Sequence, residues 1–96
     1  MTIAIDLDNT WTQDPTLWSE FRISAIKRGH TVIMATGRSG YSSDMDRWRI
    51  PGDMPIFYCA GELKDNALKR EGIYVDVWID DMPGMIQKCK ILGGDL

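Results

Sequence analysis

Cysteine and histidine are nearly missing from this chain, whose 96 residues hold two cysteines and one histidine. Cys59 and Cys89 stand at no metal-ligand spacing from each other or from His30. That excludes a thiolate or imidazole metal centre, and the two thiols are expected to be buried and reduced rather than joined. No apolar run approaches the roughly 20 residues that span a bilayer, so no membrane partner is expected. Met1-Thr2-Ile3 lacks the basic start and cleavage pattern of a secretory leader, which makes the cytoplasm the expected location. Repeats, linkers and low-complexity tracts are also lacking. Residues 1–96 therefore read as a single domain, large enough for one core.

An excess of positive charge is missing too. The net charge is −3, from 14 acids against 11 bases. With Asp6, Asp8, Asp80 and Asp81 set aside as one local cluster, 10 acids face the 11 bases and the remainder is close to neutral. Such a surface lacks the basic field that non-specific nucleic-acid binding requires, so nucleic acid is not favoured as a partner. A hydrophobic share of 44% with 26% charged residues is ordinary for a globular domain.

The residues present are ordered by alternating strand and helix signals. Ile3-Ala4-Ile5 is a short buried strand delivering Asp6, Asp8, Asn9 and Thr10, with Trp11-Thr12-Gln13 as a brief loop. Asp14-Pro15 is a helix start, Asp as N-cap and Pro at the first helical position. Leu17, Trp18, Phe21 and Ala25 share a face, Ile23 lies off it, and Lys27-Arg28-Gly29 closes the helix. Thr31–Ala35 is a second apolar strand running into Thr36-Gly37-Arg38. Ser42 to Trp48 is expected to form a short helix, with Ser43 and Asp46 spaced as a capping box. Ile56–Cys59 is the third strand, Gly61 opens a helix through about Arg70, and Val75–Ile79 is the fourth strand, followed by Asp80-Asp81. Met82-Pro83 is expected to start a last helix, with Met82, Met85, Ile86 and Cys89 on one face and Gly93-Gly94 at its end.

Strands alternating with helices predict an α/β fold with a parallel sheet and helices on both faces. The first two strands read as interior, and Asp76 marks the fourth as an edge, which gives the order 4-1-2-3. Parallel strands send their outgoing loops to one rim, where open α/β folds bind ligands. That rim then gathers Asp6, Asp8, Thr36, Lys64, Asp80 and Asp81. Two carboxylates about 4 Å apart repel by roughly 4 kcal/mol at an effective dielectric of 20. A cation is needed to hold such a set together, and all-oxygen ligands favour Mg²⁺ over zinc or copper.

The segments DLDNT at 6–10, ATGR at 35–38, Lys64 in ELKDNALK and WIDDMP at 78–83 resemble, in order and type, those of the haloacid dehalogenase (HAD) superfamily of phosphatases. The resemblance implies a three-layer Rossmann-like, HAD-like fold. It implies Asp6 as nucleophile, Asp8 as general acid and base with its pKa above that of Asp6, and Thr36 and Lys64 as phosphoryl ligands. Asp80 and Asp81 would complete a Mg²⁺ site with the Asp6 carboxylate and the Asp8 backbone carbonyl. The connections leave no room for the cap domain common in that family, and a fifth strand is not seen. Such an open site would take large substrates or borrow a wall from a second copy, as a homo-oligomer. The last strand and its Asp-Asp-Met-Pro turn look nucleotidase-like. The expected activity is hydrolysis of a nucleotide or other small phosphate ester, with a phosphatase of nucleic-acid ends or a non-catalytic phosphate-binding module as alternatives.

Several residues admit a plainer role. Gly37 and Arg38 could line the substrate site or simply form the turn after a strand. Trp11 could stack on a base or pack under the first helix. Lys64 is preferred over Lys69 because it stands at a helix start near the rim. Asp80 or Asp81 could cap the last helix.

Overall fold

The computed structural model describes residues 1–87, together with the backbone at 90–91 and 94–95. Four strands, β1 (Thr2–Ile5), β2 (Thr31–Thr36), β3 (Ile56–Tyr58) and β4 (Val77–Ile79), form an all-parallel sheet in the order β3-β2-β1-β4. Counted from the β4 edge this is 4-1-2-3. β1 and β2 lie inside, and their side chains are buried almost without interruption because both faces of the sheet are covered. At the β4 edge the Asp76 carboxylate accepts the Thr2 backbone N–H at 2.7 Å, occupying a donor at the start of β1.

Alternation along the strands splits the core in two. Ile3, Ile5 and Leu7 join Val32 and Met34 on one face, under Trp18, Phe21 and Ala25 of α1 (Pro15–Lys27) and beside Trp11 and Met45. Ala4, Ile33 and Ala35 face the other way, against Leu68 of α2 (Lys64–Arg70), Cys59 and Phe57. The architecture is α/β with a helix on each face of a parallel sheet, compatible with a Rossmann-like fold. Among the described residues, no helix is long and apolar enough to cross a membrane.

Both helices end as their sequences dictate. Asp14 accepts the Leu17 N–H at 3.1 Å as N-cap of α1, with Pro15 at the first helical position. Gly29 and Gly72, at φ +87 and +77, take the left-handed conformation after the last turns. The N–H groups of Gly29 and His30 return to Ile26 and Ala25, and those of Gly72 and Ile73 to Lys69 and Leu68. Each helix thereby closes in a Schellman motif that satisfies carbonyls left open by the helix end.

Other local expectations are corrected. The short helix expected at Ser42 to Trp48 is present as a 3₁₀ helix over residues 43–48, but its Ser43–Asp46 capping box does not form; the preceding Ser42 hydroxyl bonds the Asp44 carboxylate instead. Residues Trp11–Gln13 are one 3₁₀ turn rather than loop. α2 begins at Lys64, not Gly61, which turns the chain at φ +77 before it. Leu17 is half exposed, because the buried stripe of α1 runs through Trp18, Phe21 and Ala25. The last helix is replaced by one 3₁₀ turn, Pro83–Met85, followed by the antiparallel pair β5 (Lys90–Ile91) and β6 (Gly94–Asp95). Its helical spacing competes with Gly84 inside the first turn, a poor helix former. Cys89 and Gly93 lie outside the described residues.

Trp11 and Ile23 provide a paired test. Trp11 is fully buried and Ile23 is 53% exposed. Trp11→Ala is expected to lower unfolding free energy in urea by about 3–5 kcal/mol, and Ile23→Ala to change it by no more than about 0.5 kcal/mol.

Candidate functional site

The chain leaving β1 folds back tightly on itself. Trp11 N–H bonds the Asp6 carbonyl at 3.1 Å, Thr12 N–H bonds the Leu7 carbonyl at 3.1 Å, and Asn9 takes the left-handed region at φ 63. Asn tolerates that region because its short side chain can bond locally. Two indoles pin this loop from below: Trp11 Nε1 donates to the Trp48 carbonyl at 2.7 Å and Trp18 Nε1 to the Thr10 carbonyl at 3.0 Å. Trp11 is therefore a core side chain, and its expected place in a substrate site is corrected: an indole with no exposed surface cannot stack on a ligand.

Above the loop, side chains from three parts of the chain meet. The Lys64 ammonium, at the first residue of α2, lies 2.7 Å from Asp6 Oδ1 and 2.6 Å from Asp80 Oδ2. Lys64 is 4% exposed, the Asp80 side chain 2% and the Asp6 side chain 8%. The Thr10 hydroxyl stands 3.2 Å from Asp6 Oδ2 and 3.5 Å from Asp81 Oδ1, so it can donate to either carboxylate. Asp80 Oδ1 accepts the Met82 backbone N–H at 2.8 Å, so Asp80 also shapes the turn into residues 83–85. Lys69 pairs instead with Asp65 on the exposed side of α2, which separates it from the cluster.

Oxygens of Asp6, Asp80 and Asp81 all lie within 4.8 Å of one another. Three carboxylates against one ammonium leave the cluster net negative, and its donors are all hard oxygens. This chemistry fits a divalent cation such as Mg²⁺, with Asp6, Asp80 and Asp81 to hold it. The Asp8 carboxylate is not part of that group.

Asp8 is engaged elsewhere. Its two oxygens accept from Arg38 Nε at 3.0 Å and Nη2 at 2.8 Å, a bidentate pair. Arg38 in turn donates from Nη1 and Nη2 to Asp44, at 2.8 and 2.9 Å, and from Nη1 to Ser42 at 3.0 Å. The guanidinium holds the Asp8 and Asp44 carboxyls below their ordinary range and is itself held charged. Asp6 moves the other way: burial, partly opposed by Lys64, pushes it up to about 6. The expectation that Asp8 has the higher pKa is thus reversed, because Asp6 is desolvated and Asp8 faces a cation at the surface.

These groups enclose an open cavity of about 340 Å³ lined by Asp6, Asp8, Arg38, Lys64, Asp80 and Asp81, with Asn9, Gly37, Met82 and Met85. Of the residues named from sequence, Thr36 stands apart. It is 1% exposed at the end of β2, and its hydroxyl accepts the Arg38 N–H at 3.2 Å. In this arrangement it supports the turn that carries Arg38. Sequence reasoning gave Asp44 and Ser42 no role at the site, and their tie to Arg38 depends on a 3₁₀ turn that no motif announces. Thr10 was visible inside DLDNT but without a partner.

No protein-family model, curated protein or solved structure matches this chain.

The cluster's electrostatics can be measured. A carboxyl whose folded pKa is raised contributes stability below its unfolded value that is lost as pH rises through the folded value. In chelator, the protein is expected to lose the Asp6 share between about pH 4 and 6. Lys64→Met leaves Asp6 and Asp80 buried without their cation, and should cost about 3–5 kcal/mol at pH 7. Part of that loss should return at pH 5, where Asp6 is neutralised by a proton. Urea titrations at the two pH values check both signs.

Proposed function

We propose that the chain is a Mg²⁺-dependent phosphomonoester hydrolase of the HAD type, acting through an aspartyl-phosphate on Asp6. The observation that carries this reading is the meeting of Asp6, Lys64, Asp80 and Asp81 at the floor of one open cavity, with Asp8 on its wall. A carboxylate steadied by Lys64 and Thr10 and facing a cavity is a nucleophile in waiting.

Asp6, Asp80 and Asp81 would hold the ion, which when bound supplies positive charge to the carboxylates and to the phosphoryl oxygens. Lys64 offers ammonium charge to the same oxygens, so that anionic Asp6 can approach phosphorus. An Asp6 oxygen forms a bond to phosphorus while the bond to the ester oxygen breaks. The leaving oxygen needs a proton, and Asp8 can deliver one only when Arg38 releases it. An incoming phosphate competes for that guanidinium through the same bidentate chemistry. In the second step water attacks phosphorus and gives its proton to Asp8, a base role that ionised Asp8 fills directly, while the bond between phosphorus and the Asp6 oxygen breaks to release inorganic phosphate and restore the Asp6 carboxylate.

The engagement of both Asp8 oxygens by Arg38 favours one second reading, a module that binds phosphate without turning it over. Hydrolysis of p-nitrophenyl phosphate separates the two. The enzyme reading expects Mg²⁺-dependent release of p-nitrophenol, lost by at least about 10³-fold in Asp6→Asn while circular dichroism shows the fold retained; nucleophile removal in a comparable unit costs more than this. Mg²⁺-dependent stabilisation without turnover would support the binding module.

A further inference from the structure

Arg38 is a wall shared by two hollows. On one side lies the cavity over Asp6; on the other, a shallow depression lined by Arg38, Ser39, Gly40, Tyr41 and Ser42. Tyr41 is in turn shared with a third hollow, which also contains Asp46 and Arg49. A path therefore leads from the reacting carboxylate past Arg38 to Tyr41. Any ester held with its phosphorus at Asp6 must extend out of that open cavity past one of its walls, and beyond the Arg38 wall lies the depression that carries the Tyr41 ring.

Tyr41 is 62% exposed, yet its hydroxyl donates to Asp46 Oδ1 at 2.6 Å. An exposed ring tied by its hydroxyl keeps a face open to ligand while having lost much of its rotamer freedom, which reduces the ordering cost of stacking. The surrounding charge selects what can stack. The Arg38 donors are engaged by Asp8, Asp44 and Ser42, the Asp46 carboxylate accepts the Tyr41 hydroxyl, and Asp44 is near enough to act on it electrostatically. Acids beside the path oppose a second phosphate and tolerate a neutral, flat group.

We infer that this depression receives the leaving group of the ester and that Tyr41 stacks on an aromatic base, making a nucleoside monophosphate the substrate class. The inference deepens the phosphomonoesterase reading and rests on it. Arg49, which lines the third hollow together with Tyr41, marks where a longer chain would meet positive charge. An oligonucleotide is therefore the competing substrate.

The test compares adenosine monophosphate with β-glycerophosphate, which offers a phosphate but no ring. Tyr41→Ala is expected to raise KM for adenosine monophosphate roughly 5- to 150-fold, the worth of one base–aromatic stack, with KM for β-glycerophosphate unchanged. Tyr41→Phe, which keeps the ring, should retain most of the wild-type value. In wild-type protein the Tyr41 ring resonances should move upfield when adenosine is added with inorganic phosphate, and stay in place with inorganic phosphate alone. KM values that move together or not at all would overturn the inference, as would a 3′-phosphorylated oligonucleotide with a KM below that of the mononucleotide. Failure of wild type to hydrolyse p-nitrophenyl phosphate counts against the phosphatase reading, and the Tyr41 resonances then decide the stacking separately.

Discussion

A single buried ammonium holds the centre of this protein together. Lys64 lies between Asp6 from the end of β1 and Asp80 from the end of β4, in a setting almost closed to water. Without it two desolvated carboxylates would face each other, each costing several kcal/mol of lost hydration. The ion pairs also tie α2, on one face of the sheet, to the ends of two neighbouring strands. The packing of Leu68 and Ala67 beneath β1 and β2 is what delivers the lysine to that point.

The same compensation remains incomplete. Lys64 neutralises part of the charge of three carboxylates, leaving a net negative set of hard oxygens that fits a divalent cation. Asp8, two residues beyond Asp6, lives in another electrostatic world. It is at the surface, bound by Arg38 at both oxygens, and is held as an anion. Two aspartates so close in sequence are thus driven apart in acidity, Asp6 by burial and Asp8 by a cation.

Much of the scaffold was legible because its signals are local. The Asp14-Pro15 start and the Gly29 stop require particular backbone geometry, and each residue occurs where that geometry needs it. Continuous apolar runs marked β1 and β2 as interior, and Asp76 marked β4 as an edge. The failures fall where the pattern was helical and the backbone chemistry was not. The Met82–Ile86 spacing suggested a helix that Gly84, inside its first turn, does not favour, and a Ser-x-x-Asp pattern suggested a cap that a 3₁₀ turn does not make.

The sequence by itself determined that strands would alternate with helices and that acids from both ends of the chain would gather at one rim. Parallel pairing leaves their connecting loops no other edge. Tertiary structure decided how each polar group is used: Lys64 bridging Asp6 and Asp80, Trp11 in the core, Thr36 under the Arg38 turn, and Asp8 bound rather than free. Those outcomes depend on desolvation and on distances between residues as far apart as Asp8 and Arg38 or Trp11 and Trp48. Neither quantity exists until the chain has packed.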